Sequence, residues 1–364
     1  MEAVSLPQTC PVWGQPSSLH FFDGTRLGGY GWSMSSTRKI GVLLGGLTVE
    51  KDSSLRAGEA VLGALRQLGH EAQAIFVDRD IDVALRQARI DAAILAVRGR
   101  YSADGCLQGL LEFHGIPYTG SGVLASGLAM NRAKTKDLLR MSNLPVSTGY
   151  QLRSEQDVSP AESHGSFGFP VMVRPVSASL LVSGSLVHDE MELEGALESV
   201  FRLDSEALVE RLPPGQTVMV AILDGIALGA KQPPRTTGWN SPRVSAKDKA
   251  STELALSPAR HASVLRLAMQ AYDTLGCEGP ACVELMVSDR LNETIVDIDT
   301  CPLLHSHGLF ASIAFEAGFD YVDLVEELLK GARLRAHGHR QNRRAVQSGF
   351  PGHDRRGDAV TEAH

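Results

Sequence analysis

The sequence predicts an α/β fold that becomes α+β toward its C-terminal part, opening on a doubly wound parallel sheet. Three observations predict it. An apolar strand, Ile40 to Leu44, runs through Gly45-Gly46 into a helical stretch and then into further apolar runs, the rhythm of a βαβ unit. Late in the chain two β-rich runs, Ala281 to Met286 and Thr294 to Asp299, flank the polar turn 288–293 as a hairpin would. The length of 364 residues with 43% hydrophobic content allows a sizeable core divided over two or three domains.

Taken in order, residues 1–37 are rich in Pro, Gly and Ser without periodicity and are expected to be a disordered extension, with Met34 an alternative start just ahead of the first strand. The helix after Gly46 spans about Ser53 to Leu68, with Leu55, Val61, Leu62 and Leu65 on one face and Gly69 ending it. Ala74–Val77 and Ala92–Val97 follow as buried strands. The Gly-Gly turn between strand and helix is a cradle for phosphate or carboxylate, or simply a tight turn. A helix over Gly105–Glu112 leads to Gly115–Gly122 and to a long helix, Val123 to Met141, carrying Lys134 and Lys136. Phe169–Pro175 is a short strand ended by proline, and Ala207–Arg211 and Thr217–Leu223 are two more. The polar stretch Lys231–Ser257 is expected to be a mobile loop. A helix over Pro258–Leu275 precedes the hairpin, a helix over Tyr321–Gly331 closes the fold, and the polar tail beyond Leu334 is expected to be disordered.

The hairpin carries the sharpest chemical signal. Strand alternation puts Asp297 and Asp299 on one face, and pairing could bring Glu284 beside them. Three carboxylates together repel one another unless cations neutralise them, and oxygen-only ligands suit Mg²⁺. A solvated hairpin face is the competing reading of the same spacing.

Composition excludes several classes. A formal charge of −7 gives no reason to expect nucleic-acid or anionic-membrane binding. No apolar run reaches transmembrane length. Five irregularly spaced cysteines make no disulfide framework and suit a reducing, cytoplasmic setting.

From about Lys39 to Leu334 the chain resembles the D-alanine–D-alanine ligase family of ATP-grasp enzymes. The resemblance rests on Leu43-Leu44-Gly45-Gly46 with Glu50 and Ser54-Leu55, on Asp104-Gly105-Cys106-Leu107-Gln108-Gly109, on Gly115–Gly122 continuing to Met130 and Lys136, and on Thr274-Leu275-Gly276-Cys277 before the hairpin. It implies a three-domain ATP-grasp fold: an N-terminal α/β domain over 38–130, a central subdomain over 131–212 and a C-terminal domain over 213–334. It also implies ATP, Mg²⁺ (or Mn²⁺), small-molecule amino-acid substrates and, as commonly in the family, a homodimer.

Residue by residue, the resemblance makes Lys136 and Arg174 phosphate contacts, Glu210 the acceptor of the adenine amino group, and Thr217 the replacement for a ribose-binding acid. Glu284, Asp297 and Asp299 stand at the metal positions. Glu50 is the residue that orients the first substrate's ammonium. Other positions depart from the family. Arg98 stands for a histidine, Cys282 for the arginine that stabilises the tetrahedral oxyanion, and Gly308 for a carboxylate-binding serine. The loop after Arg174-Pro175 has leucines where hydroxyl donors are expected, and the mobile-loop Lys-Tyr is unrecognisable near Arg243-Val244-Ser245. The implied activity is ATP-dependent carboxylate–amine ligation through an acyl phosphate, of the peptidoglycan-precursor type, with a diverged substrate site. The alternative is a catalytically impaired nucleotide-binding paralogue with a regulatory or scaffold role.

Overall fold

The computed structural model describes residues 37–155, 160–177, 184–211, 213, 215–233, 256–288 and 293–335. The expectations for the N-terminal extension with Met34, the 231–257 loop beyond its ends, the leucine-rich loop at 178–183, the hairpin tip at 289–292 and the C-terminal tail lie outside them.

Three sheets organise the chain. The first is parallel, with β1 (Lys39–Gly45) between β2 (Glu71–Val77) and β3 (Ala92–Leu95). Helix α1 (Lys51–Gln67) makes the crossover from β1 to β2, and α2 (Ile81–Ala88) leads back to β3. Ile40, Val42 and Leu43 are wholly buried, as expected of a parallel strand covered on both faces. Ser54 ties α1 to the strand ends: its hydroxyl accepts from the Gly45 amide and donates to the Ala96 carbonyl. Helix α3 (Cys106–His114) follows, and α4 (Val123–Met130) and α5 (Arg132–Met141) lead out of this unit.

The second sheet is antiparallel, in the order β4 (Gly149–Arg153), β7 (Glu206–Arg211), β5 (Val171–Pro175), β6 (Ser185–Val187), with α6 (Pro160–His164) and α7 (Glu190–Phe201) on the same stretch of chain. Leu193, Leu197 and Val200 of α7 pack on Val171, Val173 and Val209. The third sheet, also antiparallel, runs β11 (Thr294–Asp299), β10 (Pro280–Val287), β8 (Gln216–Leu223), β9 (Ile226–Lys231). Helix α8 (Pro258–Thr274) covers one face, burying Val264, Ala268 and Ala271 against Val220, Ile222 and Val283. Its start is fixed by Ser257, whose hydroxyl accepts from the Arg260 amide, with Pro258 in the first turn. Helices α9 (Leu309–Glu316) and α10 (Tyr321–Lys330) return to the first unit, where Leu324, Val325 and Leu328 share a core with Val61 and Leu65 of α1. Among the described residues no helix is long and apolar enough to cross a membrane.

One expected helix is two. The run Val123–Met141 breaks at Asn131, whose extended backbone (φ −98°, ψ 94°) ends α4 and starts α5. Its side-chain oxygen accepts from the Lys134 amide at 2.9 Å, so the break is capped on its C-terminal side.

Candidate active site

The break at Asn131 sets the direction of everything that follows it. Arg132, Thr135, Lys136 and Leu139 form the buried face of α5, at the spacing of one helix stripe, while Lys134 points to solvent. Lys136 Nζ lies 2.5 Å from Glu210 Oε1 and 2.6 Å from the Ser147 hydroxyl, which in turn donates to the same carboxylate at 2.6 Å. Arg174, at the end of β5, donates to Glu210 Oε2 through Nη2 at 2.7 Å and Nε at 2.9 Å. Burial alone would raise the pKa of Glu210. Lys136 and Arg174 outweigh it and hold the carboxyl at about 2, ionised at neutral pH.

Arg174 also reaches the third sheet, with Nη1 3.2 Å from Asp297 Oδ2. The same oxygen accepts from Arg132 Nε at 2.7 Å, and Arg132 Nη1 donates to the Pro175 carbonyl at 2.8 Å. Arg132 is among the largest fully buried side chains of the described residues. Glu284 stands opposite Asp297 across the β10–β11 pair. Burial, more than Arg174 beside it can offset, pushes the Glu284 carboxyl up to about 7.

Asp299, two residues on, has a separate set of partners. It pairs across the strands with Cys282, and its Oδ2 accepts from Arg98 Nη2 at 2.7 Å while Oδ1 accepts from the Cys301 amide at 2.9 Å. Arg98 is 3% exposed; Nη1 donates to the Cys301 carbonyl, and Nε lies 3.6 Å from Glu50 Oε1 with no hydrogen-bond partner. Arg98, Gly99, Asp297, Asp299 and Thr300 help line a small open-sided cleft. Burial drives the Cys282 thiol far above its usual range, so it offers no thiolate at neutral pH.

Two predicted residues stand apart from these groups. Thr217 faces Met286 across β8 and β10, its hydroxyl 3.4 Å from the thioether sulfur. Gly308 precedes α9, and a Cβ there would approach the His305 and Leu303 carbonyls at 3.0 and 3.1 Å, leaving little room for a serine.

The structure thus gathers Lys136, Arg174, Glu210, Glu284 and Asp297 in one cluster. It gathers Glu50, Cys282 and Asp299 around Arg98 in another. Sequence reasoning missed Arg132 and Ser147. Arg132 was within reach of it, lying one helical turn before Lys136, but a helix running unbroken from Val123 gives no reason to single it out.

The donor set does not fit a resident divalent cation in this arrangement. Both oxygens of Asp297 accept hydrogen bonds, Oδ1 from the Ile298 amide and Oδ2 from two arginines. Both oxygens of Asp299 are likewise taken. Among the described residues no group of three or more His, Cys, Asp and Glu side chains is placed to hold a metal ion. Guanidinium groups neutralise these carboxylates instead.

Comparison with known proteins bears on what the two clusters are for. The family model described as D-ala D-ala ligase C-terminus matches residues 138–330. The chain is 39% identical over 305 residues to a D-alanine–D-alanine ligase of Geotalea uraniireducens, covering 82% of this chain and 97% of that one. It is 37% identical over 306 residues to the corresponding Geobacter sulfurreducens ligase, covering 83% and 96%. The crystal structure of D-alanine–D-alanine ligase from Bacillus anthracis complexed with ATP matches with a TM-score of 0.71 at 29% identity, covering 81% of this chain and 97% of that one.

Proposed function

Because the chain belongs to the D-alanine–D-alanine ligase family, we propose that it is an ATP-dependent carboxylate–amine ligase of the peptidoglycan-precursor type. The observation that carries this reading is the cluster between the second and third sheets. Three basic side chains, Arg132, Lys136 and Arg174, converge there on Glu210 and Asp297, a concentration of positive charge suited to an anionic, phosphate-bearing ligand.

In the reaction a carboxylate oxygen of the first amino acid attacks the γ-phosphorus of ATP, and the bond to the β-phosphate oxygen breaks, releasing ADP. The amine of the second substrate then attacks the acyl phosphate, a proton leaves the nitrogen, and phosphate departs. Arg174 and Lys136 supply positive charge for the transferring phosphoryl group. In the second cluster Arg98 is the cation beside Cys282, so any oxyanion stabilisation there falls to Arg98. Its charge is already shared with Asp299 and Glu50, which makes slow turnover or an altered substrate the expected outcome.

The sheets support a division into domains at 38–130, 131–212 and 213–334, which limited proteolysis would test. Use of ATP supports a cytoplasmic setting. A homodimer would show as a doubled mass in light scattering. The reading itself is tested by ADP release from the full chain with ATP and D-alanine, with mass spectrometry of the product. D-alanine-dependent ADP release with dipeptide formation is expected. Absence of both, across a screen of amino-acid pairs, would overturn it.

A further inference from the structure

We propose that Arg100 is a positioning residue that acts through Asp204: their ion pair holds the loop 98–104 of the first unit against the point where the chain leaves β5 in the second. The inference rests on the ligase reading for its effect on turnover, while the clasp itself stands on geometry alone.

The loop is built to move as one piece. The Gly99 carbonyl accepts from the Ser102 and Ala103 amides at 3.2 and 2.9 Å. The Asp104 carboxylate accepts from the Tyr101 and Cys106 amides at 2.8 and 3.1 Å. Gly99 has a φ of +78°, and a Cβ there would come within 2.5 Å of Glu50 Oε2 and 2.6 Å of Thr48 Oγ1, so the position requires glycine. From this frame two arginines leave for different units. Arg98 runs to Asp299 and to the Cys301 carbonyl in the third unit. Arg100 runs to the second, placing Nη2 3.2 Å from Asp204 Oδ1.

The setting of Asp204 is costly for a carboxylate. Its side chain is 3% exposed and lies just past the C-terminal end of α7, where backbone carbonyls disfavour negative charge. Two groups compensate it: Arg100 supplies the charge, and the Ser177 amide donates to Oδ2 at 2.7 Å. Ser177 follows the last residue of β5 by two and bridges to Asn131, the residue between α4 and α5. One carboxylate therefore ties the loop of the first unit to the segment leaving β5. Arg100 is 47% exposed and meets Asp204 through one nitrogen, so the tie can open and re-form, yet without it Asp204 is buried with no cation. Arg100 belongs to neither charged cluster. Its loss should disturb the chemical step, which needs both clusters in register, more than the binding of either substrate.

The test compares Arg100→Ala, Arg100→Lys, Asp204→Asn and the Arg100→Ala/Asp204→Asn double variant in the full chain. Hydrogen exchange is followed by mass spectrometry without ligand, and ADP release gives kcat and KM. In Arg100→Ala, amides in a peptide over 171–177 are expected to exchange at least about threefold faster, the worth of a modest half-exposed ion pair, while a peptide over 258–274 in α8 keeps the parental rate. The same variant is expected to lose about 10- to 100-fold in kcat with KM little changed, as a small misplacement of reacting groups costs. Arg100→Lys, which keeps a charge able to reach one oxygen, is expected to restore both. The double variant is expected to be no worse than either single one.

Parental exchange over 171–177 in Arg100→Ala would overturn the proposal, and so would acceleration equal in α8, which would mean a general loss of stability. Additive effects in the double variant, or a raised KM with kcat unchanged, would overturn it as well. If Asp204→Asn does not fold, Arg100→Ala and its rescue by lysine decide. Absence of ADP release from the parent would instead strike at the ligase reading, leaving the exchange rates to judge the clasp.

Discussion

Cys282 and Arg98 show how charge has moved within one end of the cleft. Cys282 carries none, yet Arg98 reaches the aspartate that faces it, Asp299. Cys282→Arg would add a second buried guanidinium beside the first, with no new carboxylate to receive it. That substitution alone is expected to lower the melting temperature and not to restore full dipeptide synthesis; steady-state rates with D-alanine check it, and full recovery would show that the rest of the site is intact. Glu284 gives a pH prediction. Its folded pKa of about 7 lies above the ordinary 4.5, so between those values the folded state holds a proton that the unfolded chain has lost. Stability therefore falls as pH rises from about 4.5 to 7 and stays low above it. Glu284→Gln removes that loss and is expected to stabilise the chain at pH 8 by up to roughly 3 kcal/mol, with little effect at pH 4. Denaturant titrations at the two pH values measure it, and equal effects at both would contradict it. Residue types at Glu284, Asp297, Asp299 and Arg98 are plain in the sequence. Their partners are not, because Arg98 and Asp299 lie 201 positions apart and only the fold brings them together.

At the scale of elements, periodicity did most of the work. The βαβ opening is legible because buried parallel strands are short apolar runs and α1 is amphipathic at its exposed face. The hairpin is legible from its paired β-rich runs, although the register placing Glu284 opposite Asp297 depends on a bulge after Glu284 that no spacing announces. The division of Val123–Met141 was missed because a helical stripe continues through Asn131 with nothing but a capping residue to interrupt it. Strands β4, β6 and β9 and helices α2, α7 and α9 are short or weakly patterned and went unread. Asn131 suggests its own experiment. Asn131→Ala removes the cap on α5 and is expected to cost about 1 kcal/mol of stability. It should also weaken ATP binding, since Arg132 and Lys136 both depend on where α5 begins; unchanged binding would mean that α5 is held by its packing alone.

Across the whole molecule the sheets meet through ion pairs as well as through apolar packing, Ile40, Val42 and Ile94 of the first sharing a core with Ala221 and Leu223 of the third, and Met172 of the second packing on Met286 and Val296 of the third. Arg98 joins the first sheet's strand end to Asp299 of the third, Arg132 and Arg174 join the second unit to Asp297 of the third, and Arg100 joins the first to Asp204 of the second at 3.2 Å. A junction built this way is tightly held when its charges are matched and responsive when a new anion enters. A nucleotide triphosphate is such an anion, and the cluster of Arg132, Lys136 and Arg174 is where its charge would be met. Calorimetric titration of the full chain with ATP is the most direct measurement. Saturable one-to-one binding that weakens as salt is raised is expected of a site whose affinity is carried by these cations. No heat and no thermal stabilisation at millimolar ATP would mean that the ion pairs close the cleft for good, and that the ligase fold here no longer takes its nucleotide.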